Sequence, residues 1–456
     1  MAEMNKNIEM ITGDPKKAIM RLALPMMLSM LLIMLYNIAD SIWVAGLGPD
    51  ALAAIGFVTP LFMVLVGLGN GIGAGANSLI ARYIGAGDYD SANNAGLHGL
   101  LLCVVISAVF TILIEVFMVP ILQLLGAGPT IQYAMDYSYI IFGFLFVFVY
   151  AGVASAIFRS EGDMKRATVA IAVTTIMNII LDPIFIYVLN LGISGAAWAT
   201  VISSTTSCLV MTYWIWGKKD LFLDLTLKNF HYSTKMIIDN LQVAIPSSLE
   251  SIVFSILGIV INAFLVQAGD TTSVAVYTAS MRIVQLAMIP LMGLGTALLT
   301  VAGVAYGARN PDNLRIAHLF AFQVGLVISI ILAIIMYLFS GQLAGIFSYT
   351  EASAVLAPQI AEAIAIFSLF VIVLPHGMMS SMVFQGVGKG TYSLIITLLR
   401  SLILEIVCAY ILCFTLGWGV PGIYIGLILG CFIGGTLGFI WAKLFIRSFA
   451  KSVKAS

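Results

Sequence analysis

The feature that most limits what this chain can become is the recurrence of apolar runs long enough to cross a bilayer. There are twelve, at residues 16–45, 51–80, 92–118, 131–158, 165–189, 194–216, 237–267, 272–305, 314–339, 355–384, 392–415 and 421–446. A hydrocarbon layer about 30 Å thick is crossed by roughly 20 apolar helical residues. Within it each backbone N–H and C=O must be bonded inside its own helix or in a closed barrel. Barrel strands are about ten residues long and alternate in polarity, and these runs do neither. The expected fold is therefore an all-α membrane protein of twelve transmembrane helices. With 61% hydrophobic and 9% charged residues, a soluble coat over a buried core is excluded. The opening M-A-E-M-N-K-N-I-E-M has no apolar core and no small-residue cleavage site, so no removed signal peptide is expected. Asp14-Pro15 reads as an N-cap followed by proline at the first helical position of the first span.

The connections alternate in chemistry. Segments 46–50, 119–130, 189–194, 267–271, 340–354 and 416–421 contain no Lys or Arg. The other connections and the tails carry 19 of the 21 basic residues, among them Arg82, Lys165, Lys218, Lys219, Lys228 and Lys389. By the positive-inside rule that face, with both termini, is cytoplasmic, in a multi-pass protein of the cell membrane. The two exceptions, Arg282 and Arg400, lie inside spans. The five cysteines sit singly in apolar runs, no His/Cys spacing suggests a metal, and no P-loop is present. No cofactor is expected, and energy for any transport would come from an ion gradient.

The chain repeats itself. Gly85-Ala-Gly-Asp88-Tyr-Asp90 is echoed 222 residues later by Gly307-Ala-Arg-Asn310-Pro-Asp312, and Phe158-Arg-Ser-Glu-Gly162 is echoed by Phe384-Gln-Gly-Val-Gly388. The expected organisation is an N-lobe (1–216, spans one to six), a polar linker (217–236) and a C-lobe (237–456, spans seven to twelve with the tail). These would form two pseudo-symmetric six-helix bundles around a central cleft. The halves differ in their acids: Asp40 falls on Asn262, and Asp182 falls on Cys408.

Inside the fifth span Thr174, Asn178 and Asp182 recur every fourth residue, which stacks a hydroxyl, an amide and a carboxylate on one helix face. Pro183 cannot donate to the carbonyl of Ile179 and opens that turn. A carboxylate in a span costs at least a few kcal/mol unless it lines a cavity or meets a partner, and Asp40 in the first span is a second such group. Tyr36 and Asn37 lie one turn before Asp40, share its face and are expected to line the substrate cavity. In the other half, Glu250 and Arg282 are expected to line the substrate cavity, with Arg282 paired either to Glu250 or to the N-lobe acids. Arg400 and Glu405 lie five apart on the eleventh span, where Arg400 can snorkel to the membrane edge. His98, His318 and His376 read as satisfied packing residues.

The order A-D-S-I-W-V-A-G-L-G, G-A-G-D-Y-D-S-A, F-R-S-E-G-D and N-x-x-x-D-P, on twelve spans in two parallel halves, resembles the multidrug and toxic compound extrusion (MATE) family, in its prokaryotic branch with an acidic N-lobe. The resemblance covers essentially the whole chain. It implies a cation site made by Asp40, Asn178, Asp182 and Thr200. All four supply oxygen, which suits a hard ion such as Na⁺, and the two acids could hold a proton instead. It further implies a transporter rather than an enzyme: an antiporter exporting small organic, often cationic and lipophilic compounds in exchange for Na⁺ or H⁺, contributing to drug resistance. Its expected partners are membrane lipids and its substrates, without nucleic acid, and it is expected to be a monomer. The alternative is a lipid or lipid-linked saccharide flippase of the same superfamily.

Overall fold

The computed structural model describes residues 2–218, 221–347 and 354–455; Lys219 lies outside them. No strand occurs among the described residues. The helices are α1 (Ala2–Thr12), α2 (Pro15–Ala45), α3 (Pro49–Ala86), α4 (Tyr89–Leu124), α5 (Ile131–Gly143), α6 (Leu145–Ser160), α7 (Met164–Pro183), α8 (Gly192–Thr212), α9 (Thr234–Ala268), α10 (Thr271–Gly307), α11 (Pro311–Leu338), α12 (Ser340–Gly345), α13 (Ala357–Gly386), α14 (Gly390–Thr397), α15 (Glu405–Tyr410) and α16 (Gly419–Ala455). Five-residue π-turns extend α7 (Ile184–Val188) and α8 (Tyr213–Gly217), and π segments of seven (Leu398–Leu404) and five residues (Ile411–Thr415) flank α15. Among the described residues eleven helical segments are long and apolar enough to cross a membrane. The pair α5 and α6, bent by 47°, supplies a twelfth as one broken span. The spans read from hydropathy are therefore present, and the kink at Phe144 and the short helix α1 are additions. In α1, Ile8 and Ile11 are buried, and Ile11 lies against Gly162.

The repeated polar turns are helix starts. Asp88 accepts a hydrogen bond from the N–H of Ser91 (3.0 Å) at the head of α4, and Asn310 accepts from Asn313 (2.9 Å) at the head of α11. Each caps a donor that the first turn leaves unpaired. The residues just before them, Gly87 and Arg309, both take the left-handed conformation, with φ of 75° and 50°. Glycine does so at no steric cost and arginine does not. Asp163 likewise caps α7 through Arg166 N–H (3.2 Å).

The chain divides into two compact units: Met1–Gly13 with Leu24–Ser248, and Asp14–Ala23 with Leu249–Ser456. In the first unit the glycines of α3 let two helices close on it. A Cβ at Gly69 or Gly73 would meet the backbone of Val149 or Gly152 on α6, and one at Gly71 or Gly75 would meet Ala244 or Asn240 on α9. Small residues at such contacts are how membrane helices approach closely. Residues 221–233 also belong to the first unit, held by side chains. Glu161 accepts the N–H groups of Phe222 and Leu223 (3.1 and 3.2 Å), and Asn93 accepts that of Asp224 (2.9 Å). Asn94 bonds both backbone groups of His231, and His98 Nε2 accepts from Ser233 N–H (2.9 Å). His98 Nδ1, 2.8 Å from Asn94 O, therefore carries the imidazole proton.

In the second unit α16 presents glycines at 422, 426, 430, 434 and 438 to the segment running from α14 to the last π turn. A Cβ at Gly430 would lie 2.4 Å from Glu405 Cα.

Candidate functional site

Two helices of the first unit, α2 and α7, are stitched side by side at a nearly constant offset. Thr168 Oγ1 donates to Pro25 O (3.1 Å), Thr175 Oγ1 to Leu32 O (3.4 Å) and Tyr187 OH to Trp43 O. The separations in sequence are 143, 143 and 144 residues. A constant offset, with the position on one helix advancing as that on the other does, means parallel helices in fixed register, so Asp40 comes level with Asp182 and Pro183. The Trp43 and Tyr187 rings meet edge to face at 6.3 Å and close the end of this pairing beyond Asp40 and Pro183.

The third helix, α8, is brought in by Gly195. A Cβ there would lie 2.5 Å from Phe185 O, in the π-turn after Pro183. Only glycine lets α8 rest on that turn, and five residues further along is Thr200. Asn178, Asp182 and Thr200 are almost fully buried, at 0%, 0% and 2% exposure. Asn178 Nδ2 donates to Asp182 Oδ1 (3.1 Å) and to Thr200 Oγ1 (3.3 Å), and Tyr36 OH donates to Thr200 Oγ1 (3.5 Å).

With both amide hydrogens spent, the free end of Asn178 is its oxygen. Asp40 Oδ1, Asn178 Oδ1 and Asp182 Oδ2 are all buried and receive no hydrogen bond among the described residues. Buried acceptors are ordinarily paired, and three unpaired ones on neighbouring side chains make a site with a demand for positive charge. Asp40 is close enough to Asp182 to act on it electrostatically.

Some sequence expectations are redrawn. Thr174 does not join the cluster; its hydroxyl donates to Ala170 O (3.3 Å) within α7. Asn37 is exposed on α2, whereas Tyr36 points into the site. Arg282 does not pair with Glu250. It is exposed on α10 and makes no hydrogen bond or ion pair among the described residues. Glu250 instead accepts from Ser393 Oγ (2.6 Å) and Gln385 Nε2 (3.3 Å). Arg400 does not snorkel. It is buried, 3.9 Å from buried Glu405 and 5.9 Å from the centre of the Phe254 ring. The cause is the π segment Leu398–Leu404, whose wider turn stacks residues five apart.

One residue of the site escaped sequence reading. Tyr137 on α5 is buried and near enough to Asp40, Tyr36 and Asp182 to interact with all three. A tyrosine deep in an apolar run was its only signal.

A family model described as MatE matches residues 25–184 and 246–411. The chain is 29% identical over 343 residues to the multidrug export protein MepA of Staphylococcus saprophyticus, covering 73% of each. It is 27% identical over 459 residues to an FAD transporter of Shewanella oneidensis, covering 96% of each. Among solved structures, a MATE protein in complex with MaL6 superposes with a TM-score of 0.95 at 38% identity, over 98% of this chain and 99% of that one. A Pyrococcus furiosus transporter of the MOP superfamily, reported with a binding pocket of reverse polarity, gives 0.94 at 38%, over 97% and 98%.

Proposed function

The chain belongs to the MatE family, and from that premise we propose that it is a cation-coupled exporter of small organic compounds, working by alternating access, with Na⁺ or H⁺ exchanged at Asp40, Asn178, Asp182 and Thr200. The observation that carries this is the trio of buried oxygens, on Asp40, Asn178 and Asp182, that no donor among the described residues satisfies. Two carboxylates, an amide oxygen and a hydroxyl are the ligands a hard monovalent cation takes. A proton on either acid would answer the same demand. Thr200 Oγ1 already accepts from Asn178 and from Tyr36, so as an ion ligand it would release the longer bond, that of Tyr36. Tyr36 thereby ties the charge state of the pocket to α2, the helix that also carries Asn37 toward the substrate cavity.

Relatives named for multidrug export and for FAD transport support a small organic cargo. Glu250 and the exposed Arg282 are the polar groups that the second unit would offer it. The acidic character of the first unit favours export of cations over flipping of a phosphate-bearing lipid. Both termini are cytoplasmic in this reading, the protein lies in the cell membrane as a monomer, and no cofactor takes part.

The test is efflux of a fluorescent organic cation from proteoliposomes under separately imposed Na⁺ and proton gradients. Asp40→Asn and Asp182→Asn should each bring gradient-driven efflux to background while the protein still inserts. Wild-type rates in either variant would remove the cluster from the mechanism.

A further inference from the structure

The outer surface of the first unit carries an apolar groove of about 570 Å³ between α4, α6 and α8, within the range of about 300–1,000 Å³ typical of small-ligand sites. We propose that it is a phospholipid site: one acyl chain lies in the groove and the phosphate sits at Lys228.

Three features define the occupant. Val104, Phe146 and Leu209, at 51%, 44% and 65% exposure, form the open side, so the groove is entered laterally, from the hydrocarbon layer. The lining on α4 begins eight residues into that helix, at Leu97, about 12 Å from its cytoplasmic end at 1.5 Å per residue. That is chain depth rather than headgroup depth. One end is closed by Trp216, Leu227 and Phe230, the last two from the connection held down by Asn94 and His98.

Nearly every polar group in the walls is already bonded within the protein. Tyr150 OH pairs with Thr212 Oγ1 (2.7 Å), Cys208 Sγ donates to Val147 O (3.2 Å) and Trp216 Nε1 donates to Leu225 O (3.0 Å). A ligand bearing an ammonium or hydroxyl would find little to bond there, whereas a hydrocarbon chain loses nothing and gains by burial.

The head of the site is charged in the complementary sense. Lys228 is exposed on the short turn Leu227–Asn229 that closes the groove, His231 is exposed beside Phe230, and Tyr232 is exposed next to it. Lysine with an aromatic neighbour is the pattern of a membrane-interface anchor, and basic residues there favour anionic lipids. The site is separate from the cation pocket and takes a lipid as ligand, not as cargo, so its failure would leave the transport reading untouched.

Native mass spectrometry of the full chain in detergent tests this, titrating palmitoyl-oleoyl phosphatidylglycerol against phosphatidylcholine with the same chains. One lipid should be retained, with about a fivefold preference for phosphatidylglycerol from a single interfacial lysine. Val104→Trp, on the exposed side where folding is least disturbed, should weaken both lipids about tenfold by excluding two methylenes of chain from the groove. Lys228→Glu should abolish the headgroup preference and leave phosphatidylcholine binding as it was. Unchanged retention of both lipids by Val104→Trp would mean annular lipid only and overturn the proposal. Saturable displacement of the lipid by the exported cation would overturn it as well, as would a dimer whose loss accompanies Val104→Trp. The melting temperature of each variant separates a blocked groove from a misfolded protein.

Discussion

Asn178 holds the acidic pocket together by spending both amide hydrogens inside it, on Asp182 and Thr200. Asn178→Ala removes a buried hydrogen bond to a carboxylate, worth about 1.5–3 kcal/mol. The ion concentration for half-maximal efflux should rise by roughly ten- to hundredfold if that energy is expressed in ion binding. An unchanged half-maximal concentration would show that the amide does not shape the site. A different residue sets a pH dependence of stability. Glu161, in the connection before α7, is buried, and burial pushes its carboxyl up to about 8 from 4.5, against the partial relief of the Leu223 and Phe222 N–H groups. Its folded value lies above its unfolded one, so the folded protein holds the extra proton between these limits. Its contribution is complete below pH 4.5 and is lost as pH rises toward 8, at up to about 1.4 kcal/mol per pH unit. Glu161→Gln keeps an acceptor oxygen for both N–H groups and should flatten that part of the melting-temperature profile against pH. A profile as steep as the wild type would assign the slope to another group.

At the scale of elements, the site depends on how three helices are set against each other, and Gly195 is its most vulnerable point. Gly195→Val places carbon within 2.5 Å of Phe185 O. Backbone atoms cannot swing aside as a side-chain tip can, so α8 must shift, at about 1–3 kcal/mol for overpacking. Thr200 moves with α8. The expected result is a lowered melting temperature and a loss of coupled efflux, already present with Ala, which carries the same Cβ; a Gly195→Ala variant with wild-type melting temperature and efflux would show that α8 tolerates displacement. The sequence made much of this architecture legible: the spans from their hydropathy, the polar turns that prove to be helix caps, and two acids in an apolar background. It did not reveal the clasp of Tyr187 on the carbonyl of Trp43, because a backbone acceptor has no residue identity. Nor did it reveal the break at Phe144, where no proline or glycine pair announces a bend of 47°. Thr174 misled by periodicity alone, since a hydroxyl in a helix can satisfy itself on the carbonyl four residues back, and it does.

At the scale of the whole molecule the two halves share a plan but not their charges, and this gives the acids of the second unit a different expected role. Arg400 and Glu405 are drawn together by a π segment that stacks residues five apart, and α16 lies over both backbones at Gly434 and Gly430. Glu250 is near enough to feel the same guanidinium. The first unit leaves one oxygen each of Asp40 and Asp182 without a donor among the described residues, whereas here a cation is built into the protein, so no exchangeable ion is required. If the pair is architectural, removing only one member should be far worse than removing both. Arg400→Leu strands Glu405 as an unpaired buried charge, a loss of about 3–5 kcal/mol, whereas an apolar pair of similar volume is often neutral. Arg400→Leu should therefore lower the melting temperature and the yield of folded protein sharply, and Arg400→Leu with Glu405→Leu should recover most of both. Ion-driven efflux in the double variant should return in proportion to the folded protein. A double variant that folds but no longer responds to the ion gradient would place a coupling group in the second unit, and the asymmetry between the halves would then have been read wrongly.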